Sequence, residues 1–435
     1  MVRCPAGVSN HPLIARRPWR EPGDAFAEYA TRPHCAWLDT AAGDGISILA
    51  AEPRKVISAR DGEPFSALAG ELATRQSISE HPFPVGAAIG YFGYGLKNVL
   101  ERLPSKAVDD LGLPRCWFGF YDNLLVFDHA KKEVWEVGAR NVPRGLTGRA
   151  QPGIAACSGF EVRSNFTRET YGEVVRRARQ YIAAGDIYQV NLSQRFQCGV
   201  DASAPEVYRA LRKSNPAPYA AYLDIGDAQI LSSSPECFLK IRDCRVITRP
   251  IKGTRPRGVT TEEDARIAAE LLASPKDNAE LVMITDLERN DLGRVCEFGS
   301  VRVNEMVRVE TYATVHHLVS TVEGVLRKDV SHIDCVRACF PGGSITGAPK
   351  IRAMEIIDEL EPHARGVYTG AIGFFGYNGH THLNIAIRTV VYQNGRLTFH
   401  SGGGIVADSE PDAEYDETLA KARGIFNAID QLRLR

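Results

Sequence analysis

Two residues sixteen positions apart are of types that do chemistry together: Glu236 in Ser234-Pro235-Glu236 and Lys252 in Pro250-Ile251-Lys252-Gly253-Thr254. A carboxylic acid can protonate a leaving group while a neutral amine attacks as a nucleophile; each role needs a pKa moved from its ordinary value. The residues between them read as two strands, Cys237-Phe238-Leu239-Lys240-Ile241 and Arg245-Val246-Ile247-Thr248, about the polar turn Arg242-Asp243-Cys244. A hairpin centred on residue 244 sets positions 236 and 252 opposite each other. Such a pair is commonly no more than a rim salt bridge. Pro250 and the Gly253-Thr254 corner argue for more, because they fix the backbone where a side chain needs aim.

A second group lies near the C-terminus. Glu414, Glu417 and Lys421 stand at i, i+3 and i+7 of a helical pattern, within about 60° around the axis. A solvated charged face explains many such patterns. Two carboxylates three residues apart nevertheless repel unless a cation joins them. Glu280 adds a third carboxylate amid Ala279, Leu281, Val282, Met283 and Ile284. All-oxygen donors of this kind suit Mg²⁺, with water and substrate completing its shell. Arg388 follows Ile385, Ala386 and Ile387 in a strand expected over 384–391; it makes either a structural ion pair or a bidentate carboxylate clamp. His317, in His316-His317-Leu318-Val319-Ser320, reads by itself as a satisfied core histidine.

The elements that position these residues mix helices with antiparallel strand pairs, so the expected class is α+β and not a doubly wound sheet. Tyr171, Val174, Val175, Ala178, Tyr181 and Ile182 share a helical face that Gly185 ends, and a strand follows over 187–196. Residues 260–294 read as two helices, one opened by a Thr260–Glu263 capping box and one by Ser274-Pro275. Residues 340–350 and 401–404 read as glycine-rich turns, with a hairpin of strands 371–377 and 383–392 between them; a last helix starts near Pro411. The 342–350 turn is not a phosphate loop of the Walker type, since Lys350 follows Ala348-Pro349, but its amides open a helix and suit an anion. Gly402-Gly403-Gly404-Ile405-Val406-Ala407 matches a dinucleotide fingerprint only formally, because no helix opens at its third glycine. The glycines read as room for a ligand to reach backbone amides.

The 435 residues suggest one large domain or two joined ones. An N-terminal α+β region over 1–140, a linker over 141–160 rich in Pro, Gly and small polar residues, and a catalytic region over 161–435 are expected. A net charge of −1 gives no footprint for nucleic acid or an anionic membrane. No apolar run reaches membrane-spanning length and no signal peptide is visible. The ten scattered cysteines lack zinc-finger spacing and fit free thiols in a cytoplasmic protein.

Taken together, the motifs resemble the chorismate-utilising enzymes. The resemblance rests on SSSPE (232–236), PIKGT (250–254), ELVMITDLERNDLGRV (280–295), HHLVSTVEG (316–324), PGGSITGAPK (341–350), YTGAIGFF (368–375), NIAIRT (384–389) and SGGGIVADSEPDAEYDETLAK (401–421), in the family's order. AWLDT (36–40) and GYFGYGL (90–96) resemble the amidating members. It implies β-sheets packed as a sandwich with helices outside. It implies Mg²⁺ held by Glu280 and Glu417 with Glu414 nearby. It also implies chorismate carboxylates held by Arg388, Tyr368, Lys421 and glycine-loop amides, in a pocket that includes Gly253, Thr254, Thr346, Gly402, Gly403 and Gly404.

Two positions separate the family's branches. Members that add water carry a lysine base in K-V-x-L-S-R; here the strand is Gln189-Val190-Asn191-Leu192-Ser193-Gln194-Arg195. Anthranilate synthases typically have alanine in P-I-A-G-T, where this chain has Lys252. The resemblance is therefore to the branch that aminates chorismate at C4. It implies Lys252 as nucleophile, Glu236 as acid and His317 as a helper at the C4 side. No cysteine has a nucleophile-elbow setting, so the expected ammonia source is a separate glutamine amidotransferase subunit. The competing readings are an anthranilate synthase component and a non-catalytic chorismate-binding scaffold. Lys252 opposes the first, and the retained Glu236, Lys252, Glu280 and Glu417 oppose the second.

Overall fold

The computed structural model describes residues 12–41, 45–138, 160–312 and 315–434. Apart from Phe160, the linker expected over 141–160 lies outside them. Two large antiparallel sheets, of twelve and ten strands, carry the architecture. Each draws strands from before residue 139 and after residue 159: Ala36–Asp39 pairs with Tyr219–Asp224 in the first, and Ala87–Phe92 pairs with Ala371–Gly376 in the second. The class is α+β.

Side-chain alternation along the strands makes three layers of core. Ala36, Ile48, Val126, Ala221, Leu223 and Ile230 of the larger sheet pack with Ile89, Tyr91, Trp117 and Ile372 of the smaller one. Their neighbours Trp37, Leu49, Phe127 and Tyr222 point to the other side of the larger sheet, against helices that include Ala204–Ser214 and Pro411–Arg433. Ala88, Phe92, Phe118 and Leu239 point outward from the smaller sheet, toward the His332–Cys339 and Lys350–Leu360 helices. The molecule is thus a sandwich of sheets with helices outside.

Local chemistry explains most boundaries. The helices Pro275–Gly293 and Pro411–Arg433 both begin with proline, whose missing N–H is an orphan there anyway. Ser274 Oγ accepts the Asp277 amide, and Thr260 Oγ1 accepts that of Glu263. The Thr260–Glu263 box is only half built, because the Glu263 carboxylate takes the Val259 amide instead of that of Thr260.

Three strand assignments change. The hairpin after Glu236 turns on two residues, Asp243-Cys244, with Asp243 at φ +55°. Its register slips again beside Cys237, which pairs with Arg249. Glu236 and Lys252 are therefore not cross-strand partners; Lys252 pairs with Leu318 of Val315–Val325. Next, residues 401–404 are not a turn. They end the strand Arg396–Ile405 and pair in register with Gln194 to Asn191. Lastly, the strand expected over 384–391 is broken. His380–Ile385 belongs to the smaller sheet and Thr389–Gln393 to the larger one. Arg388 sits in the break at φ +49°, a backbone state that side chains other than glycine seldom adopt.

Candidate active site

The site is built where the chain crosses twice between the sheets. Ser234-Pro235-Glu236 leads from Gln229–Ser234 in the larger sheet to Cys237–Arg242 in the smaller one. Residues 386–388 make the return crossing. The crossings are stitched side by side. The Ile385 amide donates to Glu236 O at 3.0 Å, Ser234 Oγ donates to Ile385 O at 2.5 Å, and the Ser233 amide donates to Arg388 O at 3.1 Å. Glu236 and Arg388 are thus fixed by backbone contacts that neither side chain makes itself.

Lys252 arrives from the neighbouring strand Ile251–Pro256. The ladder is irregular between Lys252 and Thr254, where Gly253 takes φ +64°. A bulge of this kind re-aims the side chains on either side of it. An added Cβ there would also lie 2.9 Å from Asp277 Oδ1, so that side chain would have to shift. The Lys252 ammonium points at Ser344 O, 3.5 Å away. It stands in the fields of Glu280, Lys421, Glu236 and Glu417 together.

These groups are electrostatically unlike. Burial pushes the Glu236 carboxyl up, against a hydrogen bond from Ser344 and the charge of Lys252. Burial pushes the Lys252 amine down, against the carboxylate of Glu280. Both shifts favour the neutral forms that an acid and a nucleophile need. His317, 2% exposed, is lowered to about 3 by burial and then by Arg388, so it is neutral at physiological pH. Its Nδ1 is hydrogen-bonded with Thr254 Oγ1 at 2.9 Å, and its Nε2 is buried without a partner. It is not a satisfied core histidine.

Arg388 has no acidic partner among the described residues; its hydrogen bond is to Asn215 Oδ1 at 3.3 Å. Burial lowers it, and no carboxylate offsets the effect. The structural ion pair is absent, which leaves the guanidinium available to an incoming carboxylate.

The acidic wall comes from two helices. Glu280 lies on Pro275–Gly293, and Glu414, Glu417 and Lys421 lie on Pro411–Arg433. Glu414 is buried; Ser409 Oγ donates to its Oε1 at 2.6 Å, while Oε2 has no partner. Glu417 is exposed and pairs with Lys421 Nζ at 2.6 Å; Lys421 also donates to Gly402 O at 3.1 Å. Burial raises Glu280, with Lys252 opposing. Desolvation also acts on Glu417, but Lys421 and Lys252 outweigh it and hold it below the usual carboxylate range. A Cβ on Gly403 would lie 3.2 Å from both Glu414 Oε2 and Glu417 Oε1. The glycine leaves that space to the two carboxylates.

No three His, Cys, Asp or Glu side chains among the described residues already stand in metal-binding positions. The donor set still fits a hard cation. Glu414 Oε2 is an orphaned buried acceptor, Glu417 lies beside it with lysines as its counter-charges, and Glu280 feels the charges of both Glu417 and Lys252.

Gln189 closes the pocket on the glycine strand. It is 1% exposed, and neither atom of its amide has a partner. A Cβ on Gly404 would lie 2.1 Å from Gln189 Nε2 and 3.4 Å from Lys252 Nζ. Gln189 and Lys252 thus meet over the same small space beside Gly404.

Two expected residues sit elsewhere. The Thr346 hydroxyl is spent on Gly342 O at 2.9 Å and Gly343 O at 3.3 Å, so it braces its own turn. Tyr368 stacks on His400, with centroids 5.1 Å apart at 11°, in a buried layer with Arg365 and Glu361. The acceptor held by the 342–350 turn is internal: the Gly343 amide donates to Glu288 Oε1 at 3.0 Å, and Lys350 is paired with Asp291. Ser344, between the glycines and the Ile345-Thr346 corner, had no signal beyond that setting, yet it touches both Glu236 and Lys252.

The sequence profile of chorismate binding enzymes matches residues 33–427. The chain belongs to the chorismate binding enzymes. It is 38% identical to aminodeoxychorismate synthase component 1 of Bacillus subtilis, over 92% of each chain. It is 46% identical to anthranilate synthase component 1 of Thermus thermophilus, over 79% of this chain and 78% of that one. Among solved structures, anthranilate synthase component I from Streptococcus pneumoniae superposes with a TM-score of 0.76 at 33% identity, over 87% of this chain and 92% of that one. Overall identity thus leaves two branches of the family close together, and the pocket residues must separate them.

Proposed function

We propose that the chain is the chorismate-aminating component of an aminodeoxychorismate synthase. It replaces the C4 hydroxyl of chorismate with an amine, giving 4-amino-4-deoxychorismate for p-aminobenzoate and folate synthesis. Ammonia comes from a separate glutamine amidotransferase. The observation that carries this reading is Lys252: its ammonium is drawn toward neutrality beside a buried Glu236 and faces the same point of Gly404 as Gln189.

Each side chain then has a task. Arg388, unpaired by any acid among the described residues, and Lys421 take the substrate carboxylates. Lys252 attacks C2 as a neutral amine, forming a C–N bond while both ring double bonds shift, C1=C2 to C1=C6 and C5=C6 to C4=C5, and the C4–O bond breaks. Glu236, kept protonated by burial, gives its proton to the departing oxygen. Ammonia then attacks C4 and expels the lysine, which restores the ring. Neutral His317, anchored by Thr254, presents its free Nε2 to the C4 side. Glu280 and Glu417, with Glu414 beside them, would hold Mg²⁺, which when bound neutralises a substrate carboxylate. Every described cysteine is free, which supports a reducing cytoplasm as the working compartment. No described helix is long and apolar enough to cross a membrane.

The identity to anthranilate synthases supports a second reading, in which the product is anthranilate and pyruvate leaves. Mass analysis of the product from chorismate, Mg²⁺ and an ammonium salt at alkaline pH separates the two. Retention of the enolpyruvyl group on an aminated ring is expected. Anthranilate as the main product would overturn the branch, and isochorismate would overturn the argument from Gln189.

A further inference from the structure

A cavity apart from the pocket described above is walled by Tyr94, Lys97, Leu111, Leu113, Pro114 and Ile357 among others. The volume open to the centres of water molecules is about 80 Å³, room for on the order of six waters or a ligand of similar bulk, such as a benzene ring bearing one carboxylate. Its walls mix apolar side chains with charged and polar ones, and two of the polar ones are left without partners. Lys97 is 5% exposed and Tyr94 4% exposed, and neither Lys97 Nζ nor the Tyr94 hydroxyl has a hydrogen-bond partner.

The other charged and titratable groups around the cavity have partners: Arg115 lies 4.0 Å from Asp61, and the His363 ring is hydrogen-bonded with Asn165 at 3.3 Å. Glu361 is held by Arg365 at 2.7 Å and by the Ser193 amide at 2.8 Å. Asp358 accepts the Lys106 amide at 2.8 Å, and Asp109 accepts that of Gly112 at 3.2 Å. Lys97 lies 5.7 Å from the centroid of the Tyr94 ring, against which Arg365 also packs, at 4.8 Å. Burial lowers the Lys97 amine, with Asp358 opposing and Arg365 reinforcing. A buried amine and hydroxyl without hydrogen-bond partners are unfavourable, and a bound carboxylate would give both Lys97 Nζ and the Tyr94 hydroxyl an acceptor.

We propose that this cavity is a second binding site, taking a small carboxylate with a flat apolar body: its anionic end on Lys97 Nζ and the Tyr94 hydroxyl, its body against Leu111, Leu113 and Pro114. Through Arg365 the site adjoins the pocket, because Arg365 also donates to Ile345 O at 3.0 Å and to Asn191 O at 2.7 Å, the latter opposite Gly404.

Benzoate is the probe, titrated by calorimetry and thermal shift into the wild-type chain, Lys97→Met and Tyr94→Phe. Methionine fills the same space without charge, and phenylalanine keeps the ring under Arg365. Lys97→Met is expected to retain chorismate turnover, which certifies its fold. Saturable wild-type binding is expected, weakened at least tenfold by Lys97→Met and a few-fold by Tyr94→Phe. Benzyl alcohol, without the charge, and inorganic phosphate, without the body, are expected to bind at least tenfold more weakly. Absence of saturable wild-type binding up to about 10 mM, or equal binding of phosphate, overturns the site. So does benzoate binding that survives Lys97→Met but disappears in Arg388→Ala, since it then belongs to the substrate pocket.

Discussion

The two walls of the pocket differ in one carboxylate. On the wall of strands and crossings, Glu236, Lys252 and His317 are all driven toward neutral forms by burial. On the helical wall, Glu417 is exposed and is held ionised by Lys421. Its two companions are not like it: burial raises Glu280 and Glu414, as it raises Glu236. Glu417 differs because it stands exposed on its helix with Lys421 one turn on, so the lysine charge outweighs desolvation there.

The sharpest break of that comparison is on the helical wall. Glu417→Gln and Glu280→Gln each remove one anionic oxygen from the cation site. Each is expected to lower Mg²⁺-dependent turnover by at least about 10³-fold, or about 4 kcal/mol, with an unchanged circular dichroism spectrum. Near-normal activity of either variant at limiting Mg²⁺ would show that carboxylate to be a solvated surface charge.

On the buried wall, Lys252→Ala is expected to lose amination by about 10²–10³-fold (up to about 4 kcal/mol) while chorismate binding stays within a few-fold of wild type. In the proposed site binding would rest on Arg388, Lys421 and the carboxylates that would hold the metal, not on Lys252. Intact-protein mass spectrometry of the wild type with chorismate and no ammonia should show a covalent adduct. No adduct together with a fully active alanine variant would demote Lys252 to a structural or electrostatic role. Stability offers a second check. Because the folded amine binds a proton less readily than the unfolded one, the native state binds fewer protons between its lowered pKa and the usual lysine value near 10.4. Stability from this residue is therefore gained as pH rises through that window and is lost as pH falls through it. Lys252→Ala should flatten that slope in urea midpoints measured across alkaline pH.

How far these walls were legible in sequence follows from how local each is. The helical wall was readable because Glu414, Glu417 and Lys421 lie within two turns of one helix, where spacing alone fixes the face. The buried wall was readable in membership but not in route. Glu236 and Lys252 do share one environment, yet the register that was to join them slips beside Cys237, and Lys252 pairs with a strand some 65 residues further on. A bulge is a tertiary outcome with no dependable mark in the residues. The break at Arg388 was hidden for the same reason: Ile385-Ala386-Ile387 is apolar enough for continuous strand, and only the second sheet shows where the chain changes layer. The sandwich was legible through the family resemblance, not through periodicity.

Smaller substitutions sharpen the contrast. Gly403→Ala places a methyl 3.2 Å from both Glu414 Oε2 and Glu417 Oε1. The carboxylates must give way by a few tenths of an ångström, so the expected effect is a rise of about tenfold in the Mg²⁺ needed for half-maximal rate, or about 1.4 kcal/mol, with little change in the saturated rate. An unchanged Mg²⁺ requirement would mean that the metal site does not use the space Gly403 leaves open.

The smallest effect is expected at Thr254, whose hydroxyl is bonded with His317 Nδ1. Thr254→Val keeps the shape and removes one hydrogen bond, worth about 1 kcal/mol, so a several-fold fall in kcat is expected with chorismate KM nearly constant. His317 is lowered to about 3, so it stays neutral above about pH 4, and the loss should be uniform across neutral and alkaline pH. Thr254→Ser should restore the rate because it restores the hydroxyl. A pH-dependent loss in the valine variant would instead mean that His317 titrates during turnover and belongs with the charged groups of the helical wall. Failure of serine to rescue would mean that the threonine methyl, not its hydrogen bond, holds the imidazole.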